Sequence, residues 1–496
     1  MLEKSPPRLD LDEVFSVETL KTANDVALES LVAYLEEDAL VGVHLVPPNE
    51  LLVKARELMS TDSGDGRFPV ERFREIIDLY LRTAIHLRSR GYMGRQFSSV
   101  LPVTGVFEMI LAMAPQPASF YEAGQLANVA DKIIADEFAG FLDWAPGTFD
   151  MISTSGGALA NLTAMLAARN AHAPHSWSMG VGTATGRRLA IAASEDAHYS
   201  VTRAAGVLGI GDASIVLLPL NEQRQIDVGG AIRALEEAKF QGLDVFCLVA
   251  SAGTTSVGAI DPLAELAHYA RAQGIWMHVD AAHGGALLVS DHLRPRVAGL
   301  AMADSFCLDA HKTLFVPAAC TLLFYRDPHV SRRAFVQEAS YVFDHPEEEM
   351  TLFESGSKNF ECTKRPSIIE LWLVWALYGP EVLASKLEYL VDLTYQAYCF
   401  FEAQPDFRTV NRPEINILCF EYLAPGLPAT ALGALQIAIR DRMRTDGRYL
   451  LTKVDIGLQP ALRVVFMNHE LSIADVEALA DEIRGVAAQI MEGAIA

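Results

Sequence analysis

The sequence predicts an α/β protein: a mainly parallel sheet covered by helices on both faces, with a helical segment before it and a smaller α+β unit after it. Three observations predict this. Strand-length apolar runs at 149–152, 189–193, 214–218, 245–250, 275–279, 305–308 and 321–325 alternate with helix-length segments at 157–171, 199–208, 229–240 and 261–273. The runs are apolar almost throughout, as strands buried on both faces are. Upstream, 17–41 and 70–90 space their apolar residues as amphipathic helices do.

The elements divide the chain into three parts. Residues 1–110 form the helical N-terminal segment, interrupted at Pro47-Pro48 and at 61–66. Residues 111–385 form the large domain. Residues 386–496 form the small domain, with strands at 416–422 and 461–467 and a helix at 472–492; apolar-rich helices over 367–400 lead into it. A chain of 496 residues with 51% hydrophobic composition can bury a large core.

Charge and cysteine usage narrow the function classes. With 63 acidic against 40 basic residues the net charge is -23, which argues against non-specific binding to nucleic acid or anionic lipid. No apolar run reaches the roughly 18–20 residues of a membrane helix, and the N-terminus lacks a signal-peptide core. The six cysteines, Cys247, Cys307, Cys320, Cys362, Cys399 and Cys419, form no C-x-x-C pair. They read as buried free thiols in a reducing compartment, not as a disulfide frame or a metal site. The expectation is a soluble cytoplasmic protein.

Three motifs follow strands, where ligands of parallel sheets bind. Ser153-Thr154-Ser155-Gly156-Gly157-Ala158-Leu159-Ala160-Asn161 opens a helix with a glycine pair. Backbone N–H groups there can approach a phosphate; a serine-rich helix cap that binds nothing is the plain alternative. Ile275-Trp276-Met277-His278-Val279-Asp280-Ala281-Ala282-His283-Gly284-Gly285 ends a buried strand in a carboxylate, which is costly there unless paired. A protonated ring nitrogen is one partner, and the small Ala281 and Ala282 leave room for a flat ring; a loop-capping aspartate is the alternative. Asp304-Ser305-Phe306-Cys307-Leu308-Asp309-Ala310-His311-Lys312-Thr313 ends a third strand in a lysine. Carbonyl chemistry needs such an amine partly desolvated, with a lowered pKa; a lone His-Lys pair is usually surface.

The ordered set of phosphate loop, aspartate and lysine resembles the group II pyridoxal-phosphate-dependent amino acid decarboxylases, which include glutamate, aromatic amino acid and diaminobutyrate decarboxylases. The resemblance spans roughly 90–470. It implies the fold-type-I architecture, with a mainly parallel seven-stranded sheet, a pyridoxal 5'-phosphate cofactor, an amino acid substrate and a homodimer. Ser194-Glu195-Asp196-Ala197-His198-Tyr199-Ser200 resembles the segment whose histidine stacks on the pyridine ring. Gly253-Thr254-Thr255 resembles the segment beside the cofactor, and Asp280 the aspartate that pairs with the ring nitrogen. His311-Lys312 resembles the phosphate-contacting histidine and the Schiff-base lysine.

On the same resemblance, Ser155, Gly156, Gly157, His198, Thr255, Asp280, Ala282, His311 and Lys312 hold the cofactor. Lys312, His198 and Tyr341 are catalytic, Tyr341 by its spacing from Phe335 in a loop whose tyrosine reprotonates the intermediate. Gln96 and Arg463 bind substrate, the arginine through the carboxylate. Three departures bear on the expectation: Ala158 where many members have serine, Asp309 where asparagine is frequent, and His283 in place of an aromatic residue. An anion at 309, near phosphate, calls for a compensating donor. Lys364 and Arg365 are candidate cations for an acidic substrate, though a structural role stays open for both. Transamination, decarboxylation-dependent oxidative deamination and a non-catalytic homologue also remain open.

Overall fold

The computed structural model describes residues 11–37, 40–59, 67–183, 187–335 and 353–493. Its large sheet has seven strands: β1 (Asp150–Thr154), β2 (Arg188–Ser194), β3 (Ile215–Leu218), β4 (Leu243–Ser251), β5 (Trp276–Asp280), β6 (Ser305–Asp309) and β7 (Thr321–Tyr325). They lie in the order β1-β7-β6-β5-β4-β2-β3. From β3 to β6 all neighbours pair in parallel; β7 is antiparallel to both β6 and β1. The expected strand-length runs all fall on strands, and the helices Gly157–His172, Ser200–Val207, Val228–Phe240 and Leu263–Gln273 fill the crossovers. β5 to β7 are buried almost throughout, because helices cover both faces.

This topology aligns the carboxyl ends of β1, β2, β4, β5 and β6 along one edge. The chain crosses the sheet from β1 to β2, adds β3, and returns through β4, β5 and β6. Turns leaving those ends carry Gly156-Gly157, His198, Gly253–Thr255, Asp280–His283 and Asp309–Lys312 to the same place.

The second sheet, of order β10-β11-β9-β8, is antiparallel: β8 (Phe407–Thr409), β9 (Ile417–Tyr422), β10 (Thr452–Ile456) and β11 (Gln459–Val465). The helices Ala429–Asp446 and Ile473–Gly493 accompany it, and Glu381–Glu402 leads into it. The Phe401, Phe407 and Phe420 rings pack together there, Phe401 and Phe420 with centroids 4.2 Å apart.

Three expectations change. The helix expected over 70–90 is Val70–Thr83; Ala84 turns extended, and Ile85 bridges to Val43. Pro48 opens a helix, Pro48–Glu57, since a proline at the first helical position gives up no hydrogen bond. Cys362 and Cys399 are exposed, while the other four cysteines are buried. Among the described residues no single helix is long and apolar enough to cross a membrane.

The chain over 91–94 is laced to the small sheet. Met93 N donates to Leu450 O at 3.0 Å, Leu450 N to Gly91 O at 2.8 Å, and Val465 N to Met93 O at 2.9 Å. The approach is close enough to require glycine: a Cβ on Gly91 would lie 1.9 Å from Arg448 O. Gly91→Ala is therefore expected to cost about 1–3 kcal/mol of stability through overpacking. A denaturant melt measures this, and an unchanged midpoint would contradict the lacing.

Candidate active site

The floor of the site is a buried carboxylate with fixed partners. Asp280, the last residue of β5, accepts from Asn161 Nδ2 at 2.8 Å through Oδ2 and from Ala282 N at 3.1 Å through Oδ1. Asn161 comes from the second turn of helix Gly157–His172, which packs across β4 to β7 and so reaches the end of β5. Its Nδ2 also donates to Ser200 Oγ at 2.9 Å, and that oxygen lies 2.8 Å from His198 Nδ1. The floor and the imidazole wall are thus joined through one amide. Burial lowers the His198 pKa; the Asp280 charge opposes this without reversing it, so the ring is neutral at pH 7.

Lys312 lies one short helical turn beyond β6. Its Nζ is 2.7 Å from Asp309 Oδ2. Thr321 Oγ1 donates to Asp309 Oδ1 at 2.5 Å, and His311 Nε2 lies 3.7 Å from Oδ2. These are the compensating donors that an anion at 309 calls for. Burial alone would raise the Asp309 pKa, but Lys312 and His311 outweigh it and hold the carboxyl below its usual range. The lowered lysine pKa expected from sequence is not found. Burial does push the Lys312 ammonium down, but the Asp309 and Asp280 charges override it and the net direction is up. Desolvation is legible in the apolar run before Lys312; the ion pair with the carboxylate one turn back is set only in the folded chain.

Between these groups lies a cavity of about 230 Å³. Gly156, Gly157, His198, Thr255, Asp280, Ala282 and Lys312 of the expected set all line it, joined by Ala158, Asn161, Thr254 and His283. Gly156 has φ +133°, a backbone state that side chains rarely adopt, and it delivers Gly157 as the first residue of its helix. The helix N-terminus and its free N–H groups can hold a phosphate.

Four expected residues lie off the wall. Ser155 is exposed and donates to Glu361 Oε2 at 2.8 Å, away from the glycine cradle. His311 is turned toward the β7 side, with Nδ1 2.9 Å from Cys320 O. Arg463 lies on β11, and Gln96 follows the 91–94 segment laced to that sheet. Arg463 Nε donates to Ser256 O at 3.1 Å and Nη1 to Gly94 O at 3.5 Å, while Nη2 is buried without a partner. Gln96 Nε2 is also buried without a partner. Tyr341 lies outside the described residues; Phe335 is buried.

The two candidate cations are elsewhere. Lys364 is buried and donates to Ser153 O and, at 3.0 Å, to Ser153 Oγ. Arg365 pairs with Glu108. Both are structural, since each is committed to a neighbour outside the cavity. His283, the third departure, is buried; its Nε2 donates to Asn416 Oδ1 at 2.7 Å, and its pKa is pushed down to about 3 by burial and by the Lys312 charge.

The donor set fits pyridoxal phosphate: an amine to bind the aldehyde, a carboxylate for a protonated ring nitrogen, an imidazole and a small alanine on the wall of the same cavity for a flat ring, and a glycine cradle for phosphate. Asp309→Asn tests the electrostatics. With the pairing carboxylate removed, burial dominates and the Lys312 pKa falls. The rate at which apo-protein captures the aldehyde is then expected to rise at lower pH than in the wild type. A pH–rate profile that does not move would refute the pairing.

Comparison with known proteins agrees with this geometry. Residues 127–423 match the pyridoxal-dependent decarboxylase conserved domain. The chain is 24% identical over 441 residues to L-2,4-diaminobutyrate decarboxylase of Acinetobacter baumannii, covering 87% of this chain and 86% of the relative. It is 26% identical over 456 residues to L-aspartate decarboxylase dtxS4 of Metarhizium robertsii, covering 91% and 89%. The crystal structure of Oryza sativa TDC with PLP and tryptamine superposes with a TM-score of 0.87 at 20% identity, over 96% of this chain and 99% of that one. The chain belongs to the pyridoxal-dependent decarboxylase family, and its activity is the pyridoxal-phosphate-dependent decarboxylation of an amino acid.

Proposed function

We propose that the chain works as a cytoplasmic homodimer that converts an L-amino acid to its amine and CO2, with the cofactor covalently held by Lys312 in the cavity at the carboxyl edge of the large sheet. The observation that carries the assignment of residues is the convergence of Lys312, Asp280 and His198 on that one cavity. Bound there, pyridoxal phosphate supplies an electron sink for the pair left behind when CO2 departs.

The chain's own residues set the conditions for that chemistry. Asp280 accepts a hydrogen bond from the ring nitrogen and keeps it protonated. His198, neutral, would lie against the ring, and the small Ala282 would leave room for it. The Gly156-Gly157 backbone would hold the phosphate, with Thr255 on the same cavity wall. Arg463 and Gln96 hold the substrate carboxylate, which is supported by their unpaired, buried Nη2 and Nε2. The Tyr341 phenol delivers the proton to Cα after CO2 has left.

The homodimer is supported by apolar faces left uncovered on one chain. Helix Val17–Glu36 exposes Leu28, Leu31 and Val32, and helix Pro102–Met113 exposes Val106, Met109, Ile110 and Met113. Sedimentation is expected to give twice the chain mass; a fully active monomer would refute this. The cytoplasmic location is supported by six free cysteines.

A panel of amino acids assayed for CO2, amine and aldehyde tests the function. One substrate class is expected to release CO2 and amine in equal amounts. Lys312→Ala should abolish turnover in a folded protein, and Tyr341→Phe should shift product from amine toward aldehyde. Turnover by Lys312→Ala would overturn the assignment, and an unchanged product ratio would remove Tyr341 from it.

A further inference from the structure

Beneath the cavity floor runs a file of polar side chains that the decarboxylation reading leaves without a task. Trp276 Nε1 donates to Ser305 Oγ at 2.9 Å, and that oxygen lies 2.9 Å from His278 Nδ1. His278 Nε2 lies 2.9 Å from Asn161 Oδ1. Asn161 Nδ2 reaches Asp280 and Ser200, and Ser200 reaches His198 Nδ1. Ser305, His278, Asn161 and Ser200 are all at most 2% exposed, so water does not complete these bonds.

Elementary valence gives the file a direction. A carboxylate only accepts, so Asp280 Oδ2 fixes the Asn161 amide with Nδ2 toward Asp280 and Oδ1 toward His278 Nε2. Burial pushes the His278 pKa down to about 4. The neutral ring then carries its proton on Nε2 and donates to Asn161 Oδ1. Its bare Nδ1 accepts from the Ser305 hydroxyl, which accepts from Trp276 Nε1, while at the other end the Ser200 hydroxyl accepts from Asn161 Nδ2 and donates to His198 Nδ1. Two further contacts reach the same result from other starting points. The Cys307 thiol lies 3.1 Å from Asn161 Oδ1 and donates to it. The Ser200 backbone N–H, which can only donate, lies 3.4 Å from His198 Nδ1.

We propose that Trp276, Ser305, His278, Asn161 and Ser200 are positioning residues: a one-way hydrogen-bond chain that keeps the proton of neutral His198 on Nε2 and presents Asp280 with donors only. The inference rests on the decarboxylase reading of Asp280 and His198 above. Its consequence is that side chains beneath the cavity, reaching back to Trp276 at the first position of β5, support the tautomer of the imidazole that faces the cofactor. Asp280, receiving donors only, remains an acceptor, and the ring nitrogen must supply the proton between them.

The test is nitrogen NMR of the holoenzyme with ring-labelled histidine, with the His198 signals identified by their loss in His198→Gln. The wild type is expected to show His198 protonated at Nε2 and bare at Nδ1. Ser305→Ala and Trp276→Phe each break the chain upstream of Asn161. Both are expected to give a mixture of His198 tautomers and to lower kcat by about tenfold, the size of one net hydrogen bond, with KM little changed. A wild-type His198 protonated at Nδ1 would overturn the direction of the chain. Unaltered His198 signals and kcat in both variants would overturn its role. A protein that binds no cofactor would instead defeat the underlying reading; the tautomers are measured in either case and decide the chain separately.

Discussion

The structure depends on burying two carboxylates at the ends of adjacent strands. Asp280 closes β5 and Asp309 closes β6, both in a sheet covered on its two faces, where an unpaired charge is not tolerated. The two are satisfied differently. Asp280 receives neutral donors, from Asn161 and the Ala282 backbone, and keeps lone pairs for a ligand. Asp309 is matched by a cation, Lys312, with Thr321 in support. One carboxylate is thereby ready for a protonated ring nitrogen, while the other holds an amine in place beside it.

The surrounding fold serves this arrangement. Strand order brings five carboxyl ends to one edge, and the helix after β1 supplies both the glycine cradle and Asn161 from a single face. Glycine is required where backbone must come closest. Gly157 opens that helix against Asp309, where a Cβ would meet Oδ1 at 3.0 Å. Gly91 lets the N-terminal segment lie on the small sheet, where Gly94 O accepts from Arg463 Nη1. Segments from the two ends of the chain thus meet there.

Much of this was legible in the sequence, because burial on both faces writes parallel strands as unbroken apolar runs, and the motifs at their ends keep their order. Strands β8 and β10 were missed: Phe407–Thr409 is too short to show a period, and Thr452–Ile456 alternates with charged residues at an edge. Asn161 appeared in the phosphate-loop motif, but its role depends on which residues stand opposite the helix, and no local pattern encodes that. Lys364 and Arg365 illustrate the converse error. Adjacent cations suggested a pocket, yet one points to Ser153 and the other to Glu108. The Lys312 pKa departs from the expectation because Asp309 pairs with the amine, a contact that no local pattern encodes.

The most direct measurement of the central claim is the position of the cofactor on the chain. Protein incubated with pyridoxal phosphate and reduced with borohydride should carry one added cofactor per chain, on the peptide containing Lys312, and should lose the label when Asp280 is replaced by alanine or when substrate is added first. Label on a different lysine, or no stoichiometric label at all, would contradict the account.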